Sequence, residues 1–263
     1  MEENIITSVQ NARIKHVVAL QQKSSLRREE GLFVVEGQRE IEHCIACGYE
    51  VVEVYLRSKE YGVRSENTLL PTIVSPQVYE KMAYRGSTEG IIAVVKSRDH
   101  SLSSIPLLEK NNPLVVVLEG VEKPGNLGAI LRTAEAAHVD AVIVCDPLTD
   151  LYNPNLIRAS IGGVFCVPVA TCTSEECIAF LKKYHISILT AQLQDSYEYY
   201  DYDMTHAVAI VMGTESTGLT QQWRDAADAH IRIPMLGRLD SLNVSVSAAI
   251  LIYEAIRQRK INV

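Results

Sequence analysis

The stretch Ala207-Val-Ala-Ile-Val-Met212-Gly213-Thr-Glu215-Ser-Thr-Gly218 joins a wholly apolar run to a polar turn bounded by glycines. A run that is apolar on both faces and rich in β-branched residues predicts a strand covered on each side, as in a parallel sheet. Similar runs lie at 114–118, 141–145, 164–169 and 186–190. Helical patterns at 127–137, 154–160, 174–184 and 241–259 alternate with them. Residues 113–263 are therefore expected to form an α/β domain around a parallel sheet.

Upstream, an amphipathic helix is expected over 11–22, with Ile14, Val17, Val18 and Leu20 on its apolar side. Strands are expected at 32–35, 51–56, 71–74 and 90–95, and helices at 39–47 and 76–82, the former stopped by Gly48. These make a smaller α/β domain over 1–98. The polar stretch after it, with Ser97, Ser101, Ser103, Ser104 and Asn111, reads as a linker over 99–112.

With 263 residues, 47% of them hydrophobic, the chain can bury two cores. No apolar run approaches the roughly 20 residues that span a bilayer, and the start Met-Glu-Glu-Asn lacks a basic and apolar leader. A cytoplasmic protein without a membrane partner is expected. The six cysteines are scattered through apolar elements and are expected to be reduced thiols. Cys44-Ile-Ala-Cys47 has redox or zinc spacing, but no second such pair completes a tetrahedral site, and the seven histidines show no ligand spacing. No metal is expected.

The formal charge of −7 argues against bulk affinity for nucleic acid. Its distribution is uneven: residues 1–110 hold 14 basic and 15 acidic side chains, and the remainder 11 and 17. Arg13, Lys15, Lys23, Arg27, Arg28 and Arg39 cluster in the first part. On composition alone an ordinary solvated surface explains them.

Three loops concentrate polar residues at strand ends. Pro124-Gly-Asn126-Leu-Gly128 precedes the helical pattern that carries Arg132, where helix N–H groups can hold an anion. Gly213 and Glu215 follow the apolar run quoted above, and a carboxylate there is costly unless it is bonded. Ile233-Pro-Met235-Leu-Gly237-Arg-Leu-Asp-Ser241-Leu-Asn243-Val-Ser245 then opens the last helix with more short hydrogen-bonding groups than capping needs. The loops lack the glycine patterns of dinucleotide and P-loop folds.

The three blocks resemble, in order and spacing, the motifs of the SpoU/TrmH family of AdoMet-dependent RNA 2′-O-ribose methyltransferases. The first part of the chain is similar to that family's L30e-like substrate-binding domain, through Ile6-Thr-Ser8, Asn11, Lys15, Phe33-Val-Val-Glu36-Gly37 and Ser87-Thr-Glu-Gly90-Ile. Ser216 stands where the family's second motif usually has glycine. The resemblance implies a trefoil-knotted α/β (SPOUT) domain, S-adenosyl-L-methionine (AdoMet) as cofactor, and a homodimer with its sites at the interface. It implies cofactor contacts from Gly213, Ile233, Met235, Gly237 and Leu242, and a catalytic surface of Asn126, Arg132, Glu215, Ser241 and Asn243. The implied partner is RNA, rRNA of the 23S type in preference to tRNA, and it gives Arg13, Lys15, Arg27, Arg28 and Arg39 a role in RNA contact. The competing readings are a non-catalytic RNA-binding protein of L30e type and a knotted enzyme acting on a base nitrogen.

Overall fold

The computed structural model describes residues 5–58, 70–84, 89–106, 110–214 and 217–260. The expectations that fall on Ser87, Glu215 and Ser216 lie outside them. In chain order come α1 (Ala12–Gln22), α2 (Ser24–Glu30), β1 (Leu32–Glu36), α3 (Gln38–Ala46), β2 (Val51–Leu56), β3 (Thr72–Ile73), α4 (Pro76–Met82) and β4 (Ile91–Lys96). Next are β5 (Leu114–Glu119), α5 (Pro124–Ala136), β6 (Ala141–Cys145), α6 (Pro154–Ser160), α7 (Gly163–Cys166), β7 (Val169–Cys172) and α8 (Ser174–Lys183). The chain continues through β8 (Ser187–Ala191), β9 (Tyr197–Glu198), β10 (Val208–Met212), α9 (Gln221–Ala226), β11 (Ala229–Arg232) and α10 (Val244–Lys260). Two compact units result, Met1–Arg98 with Asp150–Cys166, and Asp99–Thr149 with Val167–Val263.

In the first unit a four-stranded sheet runs β1-β4-β2-β3, antiparallel except for the β2–β3 pair. Asn11 caps α1 by accepting from the Arg13 N–H at 2.9 Å, and Ile14, Val17 and Leu20 then face Val34, Tyr55, Met82 and Ile92 in the core. Lys23 is extended, so the helical stretch breaks there, and α2 ends on Gly31 at φ 63°. The Asp150–Cys166 segment contributes two rings to this unit. Tyr152 stacks on Phe33 with centroids 4.0 Å apart, and Phe165 meets Tyr49 edge-on at 5.2 Å.

In the second unit seven strands, all parallel, run β7-β6-β5-β10-β8-β11-β9. Strands β5, β6 and β10 are buried along their whole length, which is why their sequences are apolar without alternation. Trp223 of α9 is fully buried beside Cys177, Leu181 and Ile188.

Three sequence expectations need correction. The apolar run at 164–169 is not a strand: Gly163–Cys166 is a short helix, and the strand begins at Val169. Pro168 has no N–H to give the ladder, so pairing starts behind it, with the Pro168 carbonyl accepting from Val142. The helix expected over 127–137 begins at Pro124, whose fixed φ suits a first helical position. The last helix begins at Val244 and not at Ser241, because Asn243 takes the capping position.

Candidate active site

Strand β5 lies between β6 and β10, so the chain leaves β5 for one side of the sheet and returns to the other. The loops after β5 and β10 therefore part at a topological switch point, where open α/β sheets take ligands at the carboxyl edge. The loop after β11 ends on the same edge and leads into α10.

Gly213 closes β10 and marks a tight reversal. A Cβ built there would sit 2.3 Å from the carbonyl carbon and oxygen of Gly218, so only glycine fits. The reason differs from the sequence expectation, since it is the chain's own backbone that approaches Gly213. Thr214 and Gly218 form an antiparallel bridge, and the Thr214 hydroxyl oxygen accepts from the Thr217 N–H at 3.0 Å.

A network that the sequence did not foretell anchors the far end of this loop. The buried Glu119, last residue of β5, accepts from the Thr220 N–H at 2.9 Å and the Thr220 hydroxyl at 2.7 Å. The Ser174 hydroxyl donates to Asp146 at 2.6 Å and receives the Trp223 indole N–H at 3.0 Å. Buried groups bonded on several sides fix a geometry, and here they tie the β10–α9 loop to the ends of β5 and β6. Glu119, Ser174 and Thr220 lie outside the three motifs, and a glutamate ending an apolar run was the one available signal.

Two cavities open beside these loops. The larger, about 390 Å³, lies between the ends of β8, β10 and β11 and the start of α10; Gly213, Ile233, Met235, Ser241 and Leu242 line it. The smaller, about 150 Å³, is walled by Gly120, Lys123, Asn126, Thr214 and Val244. Thr214 and Val244 belong to both walls. Gln192 and Arg224 line the larger cavity, and Gln192 Oε1 and Arg224 Nε are buried without a hydrogen-bond partner among the described residues. Unpaired polar atoms in a buried wall are costly unless a ligand completes them. Sequence reasoning missed both, since neither stands in a recognisable motif.

The remaining expected residues are placed as follows. Asn243 joins two of the motifs. Its Oδ1 accepts from the Ser245 N–H at 3.0 Å and the Ser245 hydroxyl at 2.6 Å, and its Nδ2 donates to Asn126 Oδ1 at 3.2 Å across 117 positions of sequence. Ser241 is exposed and donates to Asp240 at 3.3 Å. Gly237 is exposed, does not line the larger cavity, and has open space where a Cβ would stand. Arg132 is exposed on α5 and lines neither cavity. Glu215 lies outside the described residues.

One member of the basic cluster of the first unit leaves the surface. Arg27 is 5% exposed: its Nε meets Asp150 at 2.6 Å and its Nη1 donates to the carbonyls of Leu20 and Gln21. The expectation that it touches RNA is therefore withdrawn, because its guanidinium is spent inside the fold. Arg13 is half exposed and pairs with Glu53 at 3.1 Å, and Arg39 reaches Glu40 at 2.9 Å. Lys15, Lys23 and Arg28 are exposed. Among the described residues no helix is long and apolar enough to cross a membrane.

Comparison with known proteins agrees with this architecture. Residues 113–253 match the SpoU rRNA Methylase family, and residues 11–93 match the MRM3-like substrate binding domain. A 23S rRNA (uridine(2479)-2'-O)-methyltransferase of Streptomyces viridochromogenes is 28% identical, the match covering 97% of this chain and 92% of that protein. Among solved structures, an RNA 2′-O ribose methyltransferase superposes with a TM-score of 0.82 at 37% identity, over 97% of this chain and 99% of the other. The AdoMet-bound rRNA methyltransferase of Sinorhizobium meliloti superposes with a TM-score of 0.88 at 27% identity, over 98% of each chain. With its motif loops gathered at one sheet edge and more than half its length matched, the chain belongs to the SpoU rRNA methylase family.

Proposed function

We propose that this protein transfers a methyl group from AdoMet to a ribose 2′-hydroxyl of structured RNA, with 23S-type rRNA as the substrate class. The observation that carries this reading is the pair of cavities sharing Thr214 and Val244, one fit for a cofactor and the other fronted by Asn126.

The larger cavity suits AdoMet chemically. Met212, Leu219, Ile231 and Leu251 supply apolar wall, while Gln192 Oε1 can accept from, and Arg224 Nε donate to, the polar parts of such a ligand. Gly213, Ile233, Met235 and Leu242 would hold it, largely by backbone groups. When bound, AdoMet supplies an electrophilic methyl carbon. The chain's own part is orientation, which lowers the barrier of a displacement by fixing the reactants in line. The bond from Asn243 holds Asn126 in the wall of the smaller cavity, where the ribose would lie. Arg132 would hold an RNA phosphate and stabilise the developing alkoxide.

A homodimer completes this reading. Leu236, Leu239 and Leu242 in the loop before α10, with Val246 and Tyr253 on one face of that helix, are large apolar groups left exposed. Arg132 lines neither cavity of its own chain, which supports a site finished by a second copy. Arg13, Lys15, Arg28 and Arg39 remain for RNA contact in the first unit, and the protein would act in the cytoplasm.

The test is transfer of labelled methyl from AdoMet to total rRNA and total tRNA from cells lacking this protein, followed by nucleoside analysis. A 2′-O-methylated nucleoside from the rRNA pool is expected. Label on a base, or label in tRNA alone, would overturn the substrate assignment.

A further inference from the structure

Three cysteines from three elements meet at the carboxyl ends of β6 and β7: Cys145, Cys172 and Cys177, the last in the first turn of α8. Their sulfur atoms all lie within 4.8 Å of one another. A zinc–thiolate bond of about 2.3 Å places sulfurs roughly 4 Å apart around a shared ion, so little movement would seat one. Cys145 and Cys177 are buried, and Cys172 is half-buried on the open side of the group.

The surroundings favour a cation. The charged groups acting most strongly on the Cys172 sulfur are the carboxylates of Glu176 and Asp146. Both are already engaged by the protein. Asp146 accepts from the Ser174 N–H and hydroxyl, and Glu176 Oε2 accepts from the Thr173 N–H and hydroxyl, closing a capping box at the start of α8. They therefore contribute negative field without competing as ligands. Elsewhere, Cys44 is buried and the Cys47 thiol lies 3.0 Å from that of Cys166.

The geometry points to a three-thiolate site for a soft d10 cation of the zinc class, with three protein ligands and one position open toward Cys172. Soft thiolates select such ions over magnesium or calcium. On binding, three sulfur–metal bonds form as the three thiol protons leave to solvent, with no change of oxidation state. The ion would clip the edge strand β7 to β6 and to α8, because β7 pairs with a single neighbour in the sheet.

The test uses fully reduced, full-length protein titrated anaerobically with Cd²⁺ and followed by thiolate-to-cadmium charge-transfer absorption. One equivalent is expected to saturate the band. Cys172→Ser, chosen because the residue is half-buried, should abolish the band; Cys47→Ser should keep it. In parallel, Zn²⁺ should raise the Tm of the unmodified protein and leave that of Cys172→Ser unchanged, since an ion bound only to the native state stabilises it. Absence of a band in folded, reduced protein would overturn the site and leave three neighbouring thiols packed as small apolar groups. A band that survives in Cys172→Ser would also overturn it.

Discussion

In the seven-stranded unit the polar residues marked by motif collect at one sheet edge, where Asn126 and Asn243 touch and two cavities share a wall. In the four-stranded unit the basic residues marked by charge part company, Arg27 turning inward onto Asp150 while Arg13 pairs with Glu53 and Arg39 with Glu40 at the surface. The first group is defined by position relative to strand ends, which the backbone fixes. The second is defined by composition, which says nothing about the direction of a side chain. Spacing at strand ends is thus the better guide to a site, and a count of charges is a guide only to what needs partners.

The sharpest way to break this comparison is Arg132→Ala. Methyl transfer should fall by about 10²–10³-fold or more, as when a charge-stabilising donor is removed, while calorimetric AdoMet affinity stays unchanged. Equal loss of cofactor binding would remove Arg132 from the catalytic surface. Next in size is the buried arginine of the first unit. Arg27→Ala should lower stability by about 2–4 kcal/mol by stranding Asp150, measured by denaturant unfolding. Arg28→Glu should leave stability within about 0.5 kcal/mol and weaken rRNA binding. The reverse pattern would restore Arg27 as a surface contact.

Two glycines sharpen the comparison inside the motif-bearing unit. Gly213→Ala must push against the Gly218 backbone and should cost about 1–3 kcal/mol with loss of AdoMet affinity. Gly237→Ala, with open space around its Cβ position, should change neither. Melting and calorimetry on the two variants distinguish a glycine the fold requires from one the loop merely contains.

How far the sequence revealed this molecule follows from the same distinction. Strands β5, β6 and β10 were readable because burial on both faces leaves an unbroken apolar run. The 164–169 run misled because Pro168 forbids the pairing that its neighbours' side chains favour. Asn126, Gly213 and Asn243 were visible as motif residues, yet the reason for Gly213 emerged only when Gly218 was seen against it. Glu119 and Cys145 stayed hidden because their partners lie 25 or more residues away in other elements, and no periodicity records such meetings; Gln192 and Arg224 stand in no motif. A trefoil knot is equally beyond periodicity, and came only with the family resemblance.

The smallest effect concerns the last helix. Arg257 and Gln258 hold the Glu254 carboxyl below its ordinary value. A depressed carboxylate adds stability above its unfolded pKa of about 4.3 and loses it as pH falls through the folded value. Glu254→Gln should therefore be less stable than the parent at neutral pH by about 1 kcal/mol or less, with the gap closing below about pH 4. A gap that persists in acid would assign Glu254 a purely geometric part.

The central claim, that the cleft between β8, β10, β11 and α10 holds AdoMet, is tested most directly by titrating AdoMet calorimetrically into Arg224→Ala. Arg224 lines the cavity, and its Nε is buried and unpartnered among the described residues. Loss of a hydrogen bond to a charged donor should weaken binding about 10-fold or more, with Tm unchanged in the absence of ligand. Affinity equal to that of the parent protein would place the cofactor elsewhere and contradict the account.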